Sequence, residues 1–203
     1  MKENLIESYN HHAQERDKYR MEAWKIEERE NFLKRLLSRN KRSILEIGSG
    51  TGRDGKFFQD MGMNVTCIDL SPEMIKLCRH KGLSAYEMDM LDLDFAPNSF
   101  GAVYSLNSLL HVPKAELRTV LENVKRVLEL AGLFYVGVYG SDEEFEGEWE
   151  QDSYQPKRFF SFYTDGNIQK TTSELFKLLY FKRIPVSGGD LHFQSLILEK
   201  AEF

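Results

Sequence analysis

The chain has 203 residues, of which 41% are hydrophobic and 29% charged, with a formal net charge of -5 at pH 7. That length suits one hydrophobic core with a modest insertion, and the composition excludes a fibre or a disordered tail. The acidic balance weighs against a dedicated nucleic-acid binder, which needs a basic face for phosphates.

The start, Met1-Lys2-Glu3-Asn4, has no leader character, and no apolar run reaches bilayer length. A cytoplasmic protein without membrane partners is therefore expected. Residues 3 to 38 contain no glycine or proline and set Trp24, Phe32, Leu33, Leu36 and Leu37 at helical intervals, which predicts one or two amphipathic helices. Arg39, Lys41 and Arg42 close a segment with more basic than acidic side chains. This stretch, 1–40, reads as a helical cap on the main fold.

From Ser43 the pattern alternates. Ile44-Leu45-Glu46-Ile47 predicts a strand that breaks at Gly48, followed by a helix carrying Phe57, Phe58 and Met61. A strand over 64–69 precedes a helix from Pro72 to about Lys81, with Ser71 as its cap. Short strands follow near 83–88 and at 100–106. Leu117, Val120, Leu121, Val124, Val127 and Leu128 share one helical face, Gly132 is expected to end that helix, and Leu133 to Tyr139 reads as a buried strand. Five strands alternating with helices predict a parallel sheet covered on both faces.

The last quarter differs. Residues 141–170 read as an insertion or lid, acidic at first (Asp142 to Glu150), then basic and aromatic (Lys157 to Tyr163). Asp165-Gly166 predicts a turn, and Thr171-x-x-Glu174 a capping box opening a helix through Leu179. Strands at 181–187 and 191–199, joined only by Gly188-Gly189-Asp190, must pair antiparallel. The fold class is thus α/β: a doubly wound, mostly parallel seven-stranded sheet with helices on both faces and a C-terminal antiparallel strand pair. One domain is expected over 1–203.

The segment Glu46-Ile47-Gly48-Ser49-Gly50-Thr51-Gly52 ends the first strand with three alternate glycines, which let backbone approach a ligand. It falls at the carboxyl edge of the sheet, where open α/β folds bind ligands. Asp69, at the end of the second strand, is placed to accept hydrogen bonds from two ribose hydroxyls. Cys67 and Cys78 lack metal-site or redox spacing and read as reduced packing residues.

Glu46-x-Gly48-x-Gly50-x-Gly52, with Ile68-Asp69-Leu70-Ser71-Pro72-Glu73-Met74, resembles the class I S-adenosylmethionine-dependent methyltransferases. Met88-Asp89-Met90 is similar to that family's adenine-reading segment, Phe100 to His111 to its fourth strand and following loop, and Tyr9-Asn10-x-x-Ala13 to its cofactor-covering N-terminal segment. The resemblance implies S-adenosylmethionine as cofactor. Its candidate contacts are Tyr9, Glu46, Gly48, Ser49, Gly50, Thr51, Gly52, Asp69, Leu70, Met74, Asp89, Met90 and Leu106, with Glu46 at the methionine end and Met74 and Met90 against the adenine. Gly50-Thr51-Gly52-Arg53-Asp54-Gly55 also satisfies the dinucleotide fingerprint, so an NAD(P)-dependent oxidoreductase stands as an alternative. A non-catalytic module binding S-adenosylmethionine is another.

His111, on the loop that the resemblance sets facing the transferred methyl, is a candidate general base; before Val112-Pro113 it serves equally as a cap. His11, His12 and His192 are lesser candidates. Asn107, His111, Arg158 and Tyr163 are the candidate acceptor contacts, Arg158 and Tyr163 forming with Phe159, Phe160 and Phe162 either a cationic, aromatic wall or packing for the insertion. A methyl on a sulfonium is already electrophilic, so alignment of a small-molecule acceptor supplies much of the rate, and neither a triad nor a metal site is needed.

Overall fold

A computed structural model describes residues 1–187 and 189–201. Elements follow in the order α1 (Lys2–Arg16), α2 (Ala23–Ser38), β1 (Ser43–Ile47), α3 (Arg53–Asp60), β2 (Asn64–Asp69), α4 (Pro72–His80), β3 (Ser84–Glu87) and β4 (Phe100–Leu106). Then come α5 (Lys114–Val127), β5 (Leu128–Ser141), β6 (Phe145–Glu148), β7 (Phe159–Phe162), α6 (Asp165–Ser173), β8 (Lys177–Pro185) and β9 (Leu191–Glu199), with one 3-10 turn at Leu109–His111. The main sheet runs β3-β2-β1-β4-β5-β9-β8, with β9 antiparallel to both its neighbours and the other pairs parallel.

Alternation along each strand divides the core in two. Leu45, Ile47, Val103, Phe134, Val136 and Leu198 pack with the apolar stripe of α5 and with Ile168 of α6. Ile44, Val65, Ala102, Tyr104, Tyr135 and Ile197 point the other way, onto Phe32 and Leu36 of α2, Phe58 of α3 and Ile75 of α4. Side chains that alternate by two and are apolar on both sides require a cover on each face. On the α2 face Tyr104 and Tyr135 stack with centroids 4.7 Å apart, and Phe32 tilts against both. Ser71 caps α4 by accepting the Met74 amide at 3.1 Å, with Pro72 in the first turn. Among the described residues no helix is long and apolar enough to cross a membrane.

Four elements depart from the sequence expectation. α5 stops at Val127, not at Gly132: Leu128 is already extended and pairs with Phe100, and a register shift follows between Phe100 and Ala102. Gly132 serves that irregularity, since a β-carbon there would lie 2.7 Å from the Glu129 carbonyl. Asp165-Gly166 is no turn but the opening of α6, capped by Thr164. Thr171-x-x-Glu174 therefore ends a helix instead of starting one, and the Thr172 hydroxyl bonds back to the Ile168 carbonyl at 2.8 Å. The predicted helix through Leu179 is replaced by β8, which starts at Lys177. Finally, β6 and β7 form a separate antiparallel pair inside the segment read as an insertion. Gly188, expected in the last hairpin turn, lies outside the described residues.

Glu28 fastens α2 to the far strands. Its buried carboxylate accepts from Ser195 Oγ at 2.7 Å, Lys182 Nζ at 2.9 Å and Tyr180 Oη at 3.2 Å. Because a buried, charge-assisted cluster loses several bonds when its acceptor is removed, Glu28→Ala is expected to lower the unfolding free energy by about 2–3 kcal/mol. Urea denaturation of the two proteins measures this.

Candidate functional site

The strand order reverses between β1 and β4, so the loops that follow these neighbours part and leave a crevice at the carboxyl edge. After β1 the chain turns through Gly48, Gly50 and Gly52, all with positive φ (64°, 53° and 76°). The three glycines have different surroundings. A β-carbon on Gly48 would overlap Ser108, and one on Gly52 would lie 2.8 Å from Cys78 Sγ and Leu83 Cδ1, whereas one on Gly50 meets nothing within 4 Å. Gly50 therefore offers bare backbone to open space; Gly52 makes room for α4.

Two cavities meet there. The smaller, about 100 Å³, is bordered by Asp69, Leu70, Asp89 and Met90; the larger, about 580 Å³, by Glu46, Ser49, Thr51 and Arg158. Tyr9, Arg16, Gly48, Gly50, Leu106, Asn107 and His111 border both. Asp69 Oδ2 accepts the Gly50 amide at 2.8 Å and Oδ1 the Ser71 amide at 2.9 Å. Burial pushes this carboxyl above its ordinary range, and those backbone donors oppose the shift. Asp89 Oδ1 accepts the Leu91 amide and Oδ2 pairs with Lys2 at 2.7 Å.

Glu46 lies deeper. Burial holds its carboxyl well above the usual range, nearby Asp54 adds to the shift, and the Cys67 thiol and the Gly55 amide are its donors. A β-carbon on Gly55 would stand 2.6 Å from Glu46 Oε2. The third glycine of the dinucleotide-like pattern thus accommodates a carboxyl of the protein itself, and the oxidoreductase reading loses its main support. Asp54 is paired with Arg29 of α2 at 2.9 Å.

Over the junction of the cavities, α1 meets the segment between β6 and β7. His111 Nδ1 donates to the Phe159 carbonyl at 2.7 Å, which leaves Nε2 to accept from Tyr9 Oη at 2.6 Å. Arg158 Nη1 donates to the same Tyr9 oxygen at 3.1 Å, and Asp152 grips Arg158 through Nε, Nη2 and the backbone amide. The Arg158 guanidinium lies 3.8 Å from the Tyr154 ring centroid. Burial, with Arg158 and Arg16 nearby, pushes the His111 imidazole down to about 3.

Several candidates lie elsewhere. Met74 is fully buried against Ala13 and Leu77, and Gly52 and Tyr163 border neither cavity. Tyr163 sits under Lys114, 5.0 Å from its ring centroid, and its carbonyl accepts from Gln194. His11 is exposed, His12 stacks on Tyr154 at 3.9 Å, and His192 is buried against Asp165. Conversely, no motif marks Arg16 or Asp152, and Asn10, which accepts from Ser71 Oγ at 2.6 Å, had no role of its own assigned. Asn10 lies inside the Tyr9-Asn10 segment, so that segment is the one signal that pointed toward it.

Residues 44–132 match the family model described as a methyltransferase domain. The chain is 32% identical over 126 residues to an uncharacterized methyltransferase of Schizosaccharomyces pombe, covering 58% of this chain and 48% of the relative. It is 32% identical over 103 residues to the O-methyltransferase resE of Aspergillus sclerotiorum, covering 46% and 38%. The chain thus spans less than half the length of these curated relatives. In fold it is similar to the Burkholderia thailandensis 1,6-didemethyltoxoflavin-N1-methyltransferase, solved with 1,6-didemethyltoxoflavin and S-adenosylhomocysteine. The TM-score is 0.69 at 21% identity, over 82% of this chain and 75% of that one. With a glycine loop at the strand reversal, an acidic side chain on the neighbouring strand and a methyltransferase-domain match running from β1 through the start of β5, residues 44–132 are similar to the class I S-adenosylmethionine-dependent methyltransferases.

Proposed function

We propose that the chain transfers the methyl group of S-adenosylmethionine to a small-molecule acceptor by direct in-line displacement where the two cavities meet. The observation that carries this reading is that meeting point: one narrow pocket bordered by the carboxylates of Asp69, Asp89 and Glu116 joins one broad aromatic pocket across Gly50, Leu106 and Asn107. The residues suit the cofactor. Asp69 keeps acceptor capacity for ribose hydroxyls beyond its two backbone bonds, Met90 and Leu70 offer apolar surface to a base, and Gly50 leaves backbone open. The Asn107 Oδ1 atom is buried without a hydrogen-bond partner, an arrangement that favours a donor supplied by a ligand.

When bound, the cofactor supplies a methyl carbon made electrophilic by its sulfonium. Asp69, Gly50, Leu70 and Met90 would hold the cofactor, and an acceptor in the larger cavity would receive its methyl and lose a proton to solvent. The protein's share is placement and exclusion of water. α1 and the 149–160 segment roof the larger cavity: Ser8 Oγ donates to the Pro156 carbonyl, and Arg16 donates to Tyr154 Oη at 3.0 Å. His111, buried and neutral, is a weak proton acceptor near pH 7, so its part in this reading is to hold Tyr9 over the reacting atoms. Asn107, Arg158 and the aromatic wall then border the acceptor. Tyr163 braces β7 from behind that wall.

Isothermal titration should show S-adenosylhomocysteine binding at micromolar strength, and Asp69→Ala weakening it by at least roughly fivefold, about 1 kcal/mol. Absence of any binding to the unaltered chain defeats the proposal. His111 gives a second measurement. The unfolded chain takes up this proton near pH 6.5, the folded chain only near 3, so stability is lost as pH falls through that window. His111→Gln is expected to flatten the fall of Tm between pH 6.5 and 4, and an unchanged slope would show that the imidazole is not buried neutral.

A further inference from the structure

The far end of the larger cavity holds an unusual cation. Lys25, near the start of α2, has a side chain only 10% exposed, yet its single ion-pair partner among the described residues is Glu22, which is 49% exposed at the rim. Its ammonium lies 4.9 Å from the Trp24 ring centroid, 5.4 Å from that of Tyr139 and 6.0 Å from that of Phe193, and 3.2 Å from Tyr139 Oη. A buried charge needs compensation, and a rim carboxylate held by a half-exposed side chain contributes little. The other acids of the cavity are committed or distant: burial keeps Glu46 toward its neutral form, Asp54 belongs to Arg29, and Asp190 is exposed. Arg158, by contrast, is already neutralised by Asp152.

The approach to Lys25 is aromatic. Trp149, Phe160 and Phe162 make a wall of edge-to-face and tilted rings with centroids 5.5 to 5.8 Å apart, and all three border the larger cavity alone. Tyr139 stands on β5 two residues beyond Gly137, the register partner of Leu106. At a strand rise of ~3.4 Å per residue, that sets it roughly 7 Å past the junction, a distance one six-membered ring with opposed substituents bridges.

Building on the proposed methyl transfer, we infer that the acceptor is a planar aromatic acid. Its ring lies along the Trp149–Phe160 wall, its carboxylate takes the place of Glu22 against Lys25 Nζ and Tyr139 Oη, and its nucleophilic substituent points to Leu106 and Asn107. An ionised carboxylate there gains a charge-assisted hydrogen bond and leaves Glu22 free to hydrate.

Both tryptophans of the chain, Trp24 and Trp149, flank this path, so quenching of their emission reads occupancy. The probes are 4-hydroxybenzoate and 4-hydroxybenzamide, titrated with and without S-adenosylhomocysteine. The acid is expected to bind at least roughly tenfold more tightly than the amide, Lys25→Met to abolish that preference, and Glu22→Gln to widen it several-fold by removing the competing carboxylate. A merely structural Lys25–Glu22 pair predicts no widening. Equal affinity for acid and amide, no binding of either, a preference that survives Lys25→Met, or an unchanged or narrower preference in Glu22→Gln overturns the inference. Glu22→Gln, at a half-exposed position, decides the matter if Lys25→Met fails to fold. Should the chain not bind S-adenosylhomocysteine, the methyltransferase reading falls, while the acid-over-amide comparison without it still judges the anion subsite by itself.

Discussion

The structure depends on a close approach between two loops. β1 and β4 are neighbours, but their connections leave in opposite directions, and Gly48 packs on Ser108 with no space for a side chain between them. Ser108 in turn donates to the Ile47 carbonyl at 2.9 Å and shares a 2.5 Å hydrogen bond with Ser105. This contact sets how far the crevice opens, and both cavities take their walls from it. A larger residue at either position would spread β1 from β4 and disturb the Gly50 backbone next to Asp69.

Beneath the loop lies a polar layer that the sheet has to pay for in desolvation. Glu46, Asp54, Cys67 and Cys78 are all buried, and Arg29 pairs directly with Asp54. The hydrogen bond to Cys78, then burial and the neighbouring Glu46, raise the Cys67 thiol, while that hydrogen bond and another from Ser49 lower the Cys78 thiol against its burial. The glycine loop therefore rests on hydrogen-bonded groups, not on the apolar packing found elsewhere under the sheet. Arg29 stacks 3.8 Å from the Phe57 ring centroid, which ties the charge of this layer to the α2–α3 contact.

The parallel half of the fold was readable because local pattern and tertiary role agree there. Strands 64–69 and 100–106 fall where alternation and turn residues put them, and the Ser71-Pro72 signal does open α4. Beyond residue 127 the agreement fails. Leu128 continues the helical stripe but is claimed by Phe100 across the sheet, and Thr171 carries a capping pattern inside a helix that Thr164 has already started. β7, Phe159-Phe160-Ser161-Phe162, opens on two adjacent aromatics and is too short for its alternation to mark a strand. At the site, the glycine loop, Asp69, Asp89 and His111 announce themselves by position in a motif. Arg16 and Lys25 do not, because their partners Tyr154 and Tyr139 lie more than a hundred residues away, and Asp152 does not because its partner Arg158, six residues on, sits in a segment without a motif.

The roof over the larger cavity spans two remote parts of the chain, α1 from the amino terminus and the strap around Asp152–Arg158 from the segment between β6 and β7, and they are joined by phenol, imidazole and guanidinium groups with little apolar burial. Such seams open more readily than the sheet beneath them. Anything lodged under Tyr9 would thus leave as α1 lifts from the strap, so that the lifetime of the bound state follows how often that polar seam opens.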